Sequence, residues 1–367
     1  MGPLNGIKIV EFAGIGPGPF CGMALADLGA EVITINRNNE KGIYNKFDIH
    51  NRSKYSLTAD LKNISSRDEI LKLISQVDGL IEGYRPGVME SLGLGPDDCF
   101  NVNSKLVYGR MTGWGQDGPM SKNAGHDINY ISLTGALGAM GRNDSPPSPP
   151  LNLIGDYGGG GMHLALGMTA AFIHQIKTGE GQIVDSAMID GTSMLMSFFY
   201  SFNQMGYWED ARGSNLLDGA AHFYDTYECA DGKFLAIGSI EPKFYSIFLE
   251  KLGIKDSEFL DQMDKTKWPD LKIKVAKIIL TKDRDDWASI FKNTDGCVTP
   301  VLSLSEAPLN EHNVARSTFT SLDGVTQPKP SPRFSKSKLD IRHNSREKGA
   351  DTSGLIEKFN LDPKAFS

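Results

Sequence analysis

The sequence predicts an α/β protein with a Rossmann-like large domain and a smaller α+β domain. First, a strand, a glycine- and proline-rich turn, a helix and a second strand follow one another between Ile7 and Ile35. Second, short strand patterns keep alternating with helical patterns up to about residue 205. Third, a polar and irregular stretch at 208–219 is followed by a hairpin pattern, which indicates a second domain.

These patterns set the expected domain boundaries. We expect a large domain at 1–205, a linker at 206–220, a small α+β domain at 221–310 and a C-terminal segment at 311–367 that returns to the large domain. With 367 residues, 40% of them hydrophobic, the chain is long enough to bury the core of one large or two moderate domains.

The N-terminal elements have the order of a dinucleotide-binding unit without its fingerprint. They are a strand, a turn, a helix closed by Gly29 and a second strand, at Ile7–Phe12, Ala13–Pro19, Phe20–Leu28 and Glu31–Ile35. Pro19 and Cys21 occupy the two positions where a third glycine would be needed. Asn36 and Arg37 stand where an acid would bind a ribose, and a basic residue there suits a phosphate better.

The remaining elements follow in chain order. The large domain continues with a strand and turn over Ser56–Lys62, strands at Gly79–Glu82, Leu106–Thr112 and Gln182–Ala187, and apolar helices at Met162–Ile176 and Gly191–Phe202. The proline-rich stretch Asn143–Pro150 is expected to be a stiff, exposed spacer. The small domain is predicted to hold a hairpin and a helix, and a last helical piece lies near the C-terminus, at His222–Glu228, Lys233–Ser239, Pro242–Leu252 and Ser353–Phe359.

Basic residues lie next to several predicted strands. Arg37, Lys62 and Arg85 follow strands, and Lys54 lies just ahead of one. Ligands of open α/β sheets bind at the strand ends, so these side chains could form a cradle for a polyphosphate. The alternative is that each is a solvated surface charge, which is the commoner role of a single lysine or arginine.

Composition and charge exclude several classes of protein. The 38 basic and 45 acidic side chains give a net charge of −7, and no basic run is dense enough for nucleic-acid binding. The four cysteines are far apart and form no C-x-x-C pair, which argues against a zinc site and a disulfide framework. No secretory signal or membrane-spanning run is seen. We therefore expect a soluble intracellular protein, cytoplasmic if bacterial, or in the mitochondrion or peroxisome if eukaryotic.

Two polar stretches carry the candidate chemistry. The first runs from Gly125 to Tyr130 and contains His126, and the second places Asp156 just before four consecutive glycines at 158–161. A histidine and an aspartate held at helix mouths and facing one ligand are what proton transfer on both faces of one carbon requires.

Structural roles remain open for these residues. A histidine near a helix start is more often a packing or capping residue than a catalyst. Asp156 could be an N-cap, and Glu241, which precedes Pro242, has the same explanation. The residues by themselves indicate a soluble α/β enzyme that binds an anionic ligand.

Ordered motifs from Gly6 to about Arg316 add a family resemblance. They are Ala13–Phe20 with its Pro-Gly-Pro-Phe, Ala59–Lys62, Tyr84–Val88, Gly125–Tyr130, Gly155–Tyr157, Arg212–Gly213 with Leu217–Gly219, and Glu241–Pro242 with Phe244–Tyr245. With these motifs the chain resembles the racemases of the family III CoA-transferase superfamily. The resemblance implies that superfamily's fold and an interlaced homodimer, in which each active site uses the large domain of one chain and the small domain of the other.

The resemblance also implies an activity. The enzyme would be an isomerase of lipid and fatty acid metabolism that interconverts (2R)- and (2S)-2-methylacyl-CoA thioesters through an enolate. His126 and Asp156 would be the acid/base residues, and Glu241 would orient His126 across subunits. No cofactor is implied because CoA is part of the substrate. The implied CoA contacts are Arg37, Ala59, Asp60, Leu61, Lys62, Tyr84, Arg85, Gly125, Asp127 and Tyr130.

Two rival functions remain. In a CoA-transferase of the same superfamily, Asp156 would be a nucleophile that attacks the thioester and forms an acyl anhydride. Transferases of the family generally lack the histidine that matches His126 and its later glutamate, so the histidine favours a racemase. A CoA-binding protein without chemistry would keep the basic cradle and tolerate loss of both His126 and Asp156.

The chain departs from the racemase pattern at a few positions. Asn36 replaces an aspartate, Ser53 and Tyr55 replace a glycine and an arginine, and His222 replaces a proline. The first three lie on the CoA side and bear on nucleotide contacts. For His222 we favour a strand residue over a pocket residue. The preferred acyl chain is not determined by the sequence.

Overall fold

A computed structural model describes residues 1–37 and 45–366. The chain forms two compact units. The first unit contains Met1–Thr134, Leu151–Met196 and the C-terminal segment from His312, and the second contains Gly135–Pro150 and Ser197–Glu311. The stretches 135–150 and 197–205, which we had expected in the large domain, thus group with the second unit.

The first unit is built on a six-stranded parallel sheet, so the predicted α/β class is confirmed. Its strands are β1 (Lys8–Phe12), β2 (Glu31–Arg37), β3 (Tyr55–Ala59), β4 (Gly79–Glu82), β5 (Val107–Thr112) and β6 (Gln182–Ala187), in the order β3-β2-β1-β4-β5-β6. Neighbours in this order are connected through crossovers, as the alternating sequence pattern predicts.

The helices, in chain order, are α1 (Pro17–Asp27), α2 (Ile64–Ile74), α3 (Val88–Ser91), α4 (Pro96–Val102), α5 (Asp127–Ser132), α6 (His163–Thr178), α7 (Met188–Leu195), α8 (Ser197–Gln204), α9 (Pro242–Leu252), α10 (Trp268–Ile279), α11 (Arg284–Phe291), α12 (Glu311–Arg316) and α13 (Thr352–Phe359). A π-helix spans Leu153–Met162.

Alternating strand residues build a core on each face of the sheet. In β1, Val10 and Phe12 join one hydrophobic cluster with residues of α2, α4 and α13, while Ile9 joins the other with residues of α1 and α6. Successive side chains of a strand point to opposite faces, so the sheet is covered on both sides. Its ligand site is therefore left to the strand ends.

Two segments add to or differ from the sequence prediction. Gly158–Gly161, for which no helix was predicted, lie within the π-helix. The predicted helix at Gly191–Phe202 is two helices, α7 and α8, divided at Met196. Gly191 lies inside α7 and packs closely against Gly159. A Cβ at residue 191 would be 1.9 Å from the carbonyl oxygen of Gly159, so only glycine permits this contact.

The second unit has an antiparallel sheet and its own core. Its strands are β7 (Tyr224–Glu228), β8 (Phe234–Gly238) and β9 (Val298–Pro300), in the order β7-β8-β9. A separate hairpin, which belongs to the first unit, pairs β10 (Phe319–Leu322) with β11 (Val325–Pro328). The predicted hairpin at the start of the small domain and the helix from Pro242 to Leu252 are confirmed. His222 lies two residues before β7 and is buried, so it is a core residue instead of a strand residue.

Candidate active site

A cavity of about 640 Å³ opens at the carboxyl ends of the strands of the first unit. Residues at or just after the ends of β1, β2, β4, β5 and β6 line it, together with the start of α5 and the π-helix. The predicted site residues in its lining are Arg37, Tyr84, Arg85, Gly125, His126, Tyr130 and Asp156. The expectation that strand ends bring basic side chains together is thus met for Arg37 and Arg85, while ligand binding by the seven residues stays a prediction.

His126 stands at the mouth of α5. It occupies the N-cap position with an extended backbone, and its N–H donates to Oδ1 of Asn129 at 3.1 Å. Its carbonyl oxygen accepts the N–H groups of Asn129 and Tyr130 at 2.8 and 3.2 Å. The backbone of His126 is therefore fixed by the helix, while its exposed imidazole lines the cavity.

Asp156 lies in the first turn of the π-helix. Its half-buried carboxylate accepts a hydrogen bond from Nδ2 of Asn152 at 3.0 Å. Asn152, not Asp156, holds the N-cap position, so the alternative that Asp156 caps a helix is wrong. The Asp156 carboxylate lines the same cavity as the His126 imidazole, and both proposed proton carriers thus face one space.

Glycines let three helical segments meet behind Asp156. A Cβ on Gly160 would lie 2.8 Å from the Gly155 carbonyl oxygen, and one on Gly161 would lie 2.7 Å from that of Pro17. At the mouth of α1, Gly16 has φ +68°, and a Cβ on it would be 2.9 Å from Oδ2 of Asp156. The run 158–161 therefore lets the π-helix that holds Asp156 pack against the backbone of α1, and Gly16 leaves room for the Asp156 carboxylate.

Asp127 connects the two candidate residues. It follows His126 in the chain, it is buried, and its Oδ2 accepts the N–H of Asp156 at 2.7 Å. Burial raises the pKa of the Asp127 carboxyl, although the hydrogen bond from Asp156 opposes this. Within the described part of the chain, Oδ1 of Asp127 has no hydrogen-bond partner. The side chain that we had expected to contact CoA thus bonds to the protein backbone.

Tyr130 closes the wall beside these groups. Its hydroxyl donates to the Gly125 carbonyl oxygen, and its ring packs edge-on against Trp114 at 4.8 Å. A Cβ on Gly113 would lie 2.0 Å from the Tyr130 ring. Burial and the charge of Asp156 raise the pKa of Tyr130, while Arg85 lowers it. The hydroxyl is therefore neutral at physiological pH and helps to shape the site.

The arginines of the expected cradle line the cavity. The Arg37 guanidinium lies over the Tyr84 ring, 5.5 Å from its centre. This stacking leaves its fork of donors available to a phosphate, which a guanidinium binds in a bidentate manner. Arg85 follows β4 and lines the cavity as well.

The segment at 59–62 stands apart from the cavity lining. Ala59 ends β3 and pairs in register with Arg37 of β2. Ala59 and Leu61 are buried in the core, while Asp60 and Lys62 are exposed. Ala59 and Leu61 can therefore offer only backbone groups to a ligand.

Lys54 is not part of the cradle. It is 2% exposed, and its Nζ donates to both Glu11 oxygens at 2.9 and 2.7 Å and to the Pro19 carbonyl oxygen at 2.8 Å. The prediction of a phosphate contact for Lys54 is wrong, because its charge is used inside the protein.

Glu241 belongs to the second unit. It is exposed and holds the N-cap position of α9, directly before Pro242. No hydrogen bond from its side chain caps the helix, so its carboxylate is not used for that purpose. Its predicted bond to His126 stays a prediction.

Sequence reasoning missed Asn152 and Gly16. Asn152 is a single polar residue between two leucines, four positions before Asp156, a spacing that brings side chains together on a helix. Gly16 was considered only for a dinucleotide fingerprint.

Two absences within residues 1–37 and 45–366 bear on other kinds of site. In this part of the chain, no group of three or more His, Cys, Asp and Glu side chains is arranged to hold a metal ion. No helix within the same ranges has the length and apolar character needed to span a membrane.

Comparisons with known proteins agree on the family of this chain. Residues 4–352 match the family described as CoA-transferase family III. A protein of Mus musculus named alpha-methylacyl-CoA racemase is 45% identical over 334 residues, covering 91% of this chain and 87% of the relative. The protein of that name from Homo sapiens is 42% identical over 332 residues, covering 90% and 86%.

A solved structure is similar over nearly the whole chain. It is a CaiB/BaiF family protein from Brucella suis with a TM-score of 0.85, covering 98% of this chain and 99% of its own. At 24% identity, this likeness shows the fold alone. The family resemblance predicted from the motifs is confirmed by the family match and the two racemases.

Proposed function

Because the chain belongs to the family III CoA-transferases, we propose that it is an isomerase of the alpha-methylacyl-CoA racemase type, which interconverts (2R)- and (2S)-2-methylacyl-CoA thioesters. The observation that carries the proposal is that His126 and Asp156 line one cavity at the sheet edge. Names and identities of the mouse and human relatives support the same activity. The physiological role would lie in the metabolism of branched fatty acids.

Proton transfer would use the two residues from opposite faces. A thioester acidifies its α-hydrogen, so neutral His126 would remove the proton from one enantiomer while protonated Asp156 returns one to the other face. In the reverse direction, ionised Asp156 would be the base and the imidazolium of His126 the acid. The two groups must therefore start in different protonation states for the two directions.

The enolate oxygen needs hydrogen-bond donors. N–H groups in the first turn of a helix lack intrahelical acceptors, and α5 begins directly after His126. We assign the N–H groups at the start of α5 to the developing oxyanion. Asp127 would serve this arrangement by holding α5 against the π-helix through its bond to the Asp156 N–H.

The CoA moiety would lie along the strand ends. Arg37 and Arg85 would bind its phosphates, and Tyr84 would hold the Arg37 guanidinium in place. The exposed turn around Asp60 and Lys62 would complete the nucleotide side, with backbone groups of Ala59 and Leu61. The reaction would use no further cofactor, because the thioester itself supplies the acidity.

A homodimer would complete the site. Glu241 would accept a hydrogen bond from the His126 imidazole of a second copy and so fix its tautomer. The outward face of α6 and its N-cap residue support such an assembly, since Met162, Leu166, Ile173 and Ile176 are 51 to 72% exposed there. These apolar side chains along one helix would be covered by the second copy.

The family also contains CoA-transferases, so transfer is the second candidate. Asp156 would then attack the thioester, and His126 would have no evident task. One experiment distinguishes the activities: a single enantiomer of a 2-methylacyl-CoA is incubated in D₂O, with and without an acceptor acid. Loss of optical purity with deuterium uptake, independent of the acceptor, supports the racemase. CoA transfer to the acceptor refutes it, and binding without either reaction indicates a protein without chemistry.

A further inference from the structure

We propose that the buried ion pair of Glu11 and Lys54 positions Asp156 for proton transfer, acting through the N-terminal half of α1. This inference rests on the proposed racemase function, because it concerns only one of the two proton carriers. Lys54 is thus a positioning residue that touches neither substrate nor the reacting atoms.

The pair lies directly beneath α1. Glu11 is fully buried in β1, on the same face of the sheet as Ile9, and Lys54 is 2% exposed. A Cβ on Gly22 would be 1.7 Å from Oε2 of Glu11 and 3.0 Å from Nζ of Lys54, so the helix backbone rests on the pair. Nζ of Lys54 also donates a hydrogen bond to the Pro19 carbonyl oxygen at 2.8 Å, in the first turn of α1.

The same end of α1 contacts Asp156 and its neighbour. Gly16, the N-cap of α1, lies against the Asp156 carboxylate. The Phe20 ring stacks on that of Tyr157, with 4.7 Å between the ring centres. A shift of this end of α1 therefore moves the surface on which the Asp156 carboxylate rests.

His126 is held differently. Its described backbone hydrogen bonds run to Asn129 and Tyr130, both within α5. Loosening α1 should consequently impair Asp156 far more than His126. The result would be an enzyme in which one proton carrier still exchanges the α-hydrogen while the other no longer completes the inversion.

The test uses the double variant Glu11→Gln with Lys54→Met, which leaves no unpaired buried charge. Each enantiomer of a 2-methylacyl-CoA is incubated in D₂O, and deuterium uptake is measured separately from inversion. Asp156→Asn first identifies which enantiomer exchanges through His126. In the double variant, inversion should fall about 10- to 100-fold, because small misplacements are costly, while exchange of that enantiomer stays within about threefold.

A matched control exists at the other end of the same helix. Arg52 and Asp27 form a similarly buried pair, at 3.1 and 2.5 Å, where α1 ends. The double variant Asp27→Asn with Arg52→Met should lower stability while its exchange and inversion rates change together. Should the Glu11 and Lys54 variant fail to fold, Lys54→Arg keeps the charge but shifts the donor away from Pro19, and it should show a smaller uncoupling.

The outcomes are distinct. If the Glu11 and Lys54 variant, or Lys54→Arg in its place, loses exchange and inversion in equal proportion, or loses neither, the positioning role is refuted. If the wild-type enzyme exchanges neither enantiomer, the proposed racemase function fails, whichever way the variants behave.

Discussion

Replacing His222 by glutamine should remove much of the acid sensitivity of the second unit. His222 is fully buried, and its Nε2 lies 2.6 Å from the Tyr245 hydroxyl. That hydroxyl donates to the Phe259 carbonyl oxygen at 3.1 Å, so Nε2 must carry the proton and Nδ1 must be unprotonated. Among the described residues, Nδ1 has no hydrogen-bond partner. Protonation would therefore place an unpaired charge in a core.

The magnitude follows from the pKa of His222. Burial lowers this pKa from 6.5 to about 4. The folded state thus resists protonation, so the stabilising effect of neutral His222 is fully present above pH 6.5 and decreases as the pH falls from there towards 4. Between pH 7 and pH 5, this group alone should lower the free energy of unfolding by about 2 kcal/mol.

Urea unfolding followed by tryptophan fluorescence can measure this difference. In a Trp114→Phe background, the remaining tryptophans, Trp208, Trp268 and Trp287, all belong to the second unit. At one fixed protein concentration, the wild-type loss of stability between pH 7 and pH 5 should exceed that of His222→Gln by about 2 kcal/mol. His174→Gln, at an exposed position on α6, is the control and should keep the wild-type response. Equal losses of stability in wild type and His222→Gln would refute the inference that Nδ1 of His222 is unprotonated and that burial lowers the pKa of this residue.

Further variants test the proposed function. His126→Ala and Asp156→Ala should each lower racemisation at least about 1,000-fold with near-normal CoA binding by calorimetry, because each transfers a proton. Glu241→Gln should reduce kcat about 10-fold, because an orienting group contributes less than a proton carrier, and an unchanged pH–rate profile would count against its bond to His126. Arg85→Ala should raise KM for the acyl-CoA about 10-fold with little change in kcat. Leu166→Glu on α6 should produce monomers in light scattering coupled to gel filtration.

Two of these predictions have matched controls. Lys105→Ala removes a charge just ahead of β5, at the opposite edge of the sheet, and should leave KM unchanged. Val102→Glu places the same charge as Leu166→Glu on α4, which packs on the other face of the sheet, and should leave the dimer intact. A fall in kcat alone for Arg85→Ala, or equal dissociation by the two glutamate variants, would contradict the assignments.

The site could be predicted from the sequence where it depends on strand order. Parallel strands bring their carboxyl ends to one edge, so Arg37 and Arg85 were expected together. His126 and Asp156 were expected to face one ligand because both were predicted at helix mouths. The β-branched strand patterns also gave the six strands to within one or two residues. These features follow from local periodicity and from the topology that it implies.

The features that escaped prediction depend on partners distant in sequence. Four consecutive glycines are typical of a loop, and they become helical only because Gly191 and the start of α1 pack against them. Lys54 was expected at the surface because a lysine is rarely buried without a partner. The partner was visible as Glu11, an acidic residue among the apolar side chains of Ile9, Val10 and Phe12, but only the fold shows that it meets Lys54.

The discontinuity of the first unit affects the order in which the chain can fold during synthesis. Leu355, Phe359 and Phe366 belong to the same cluster as residues of the first three strands, so the core on that side of the sheet is incomplete until the segment that holds them has been made. The second unit, made from 135–150 and 197–311, is complete in sequence earlier. Nascent chains stalled just far enough beyond residue 311 for that residue to have left the exit tunnel should therefore contain a protease-resistant second unit beside a first unit that is still open to chaperones.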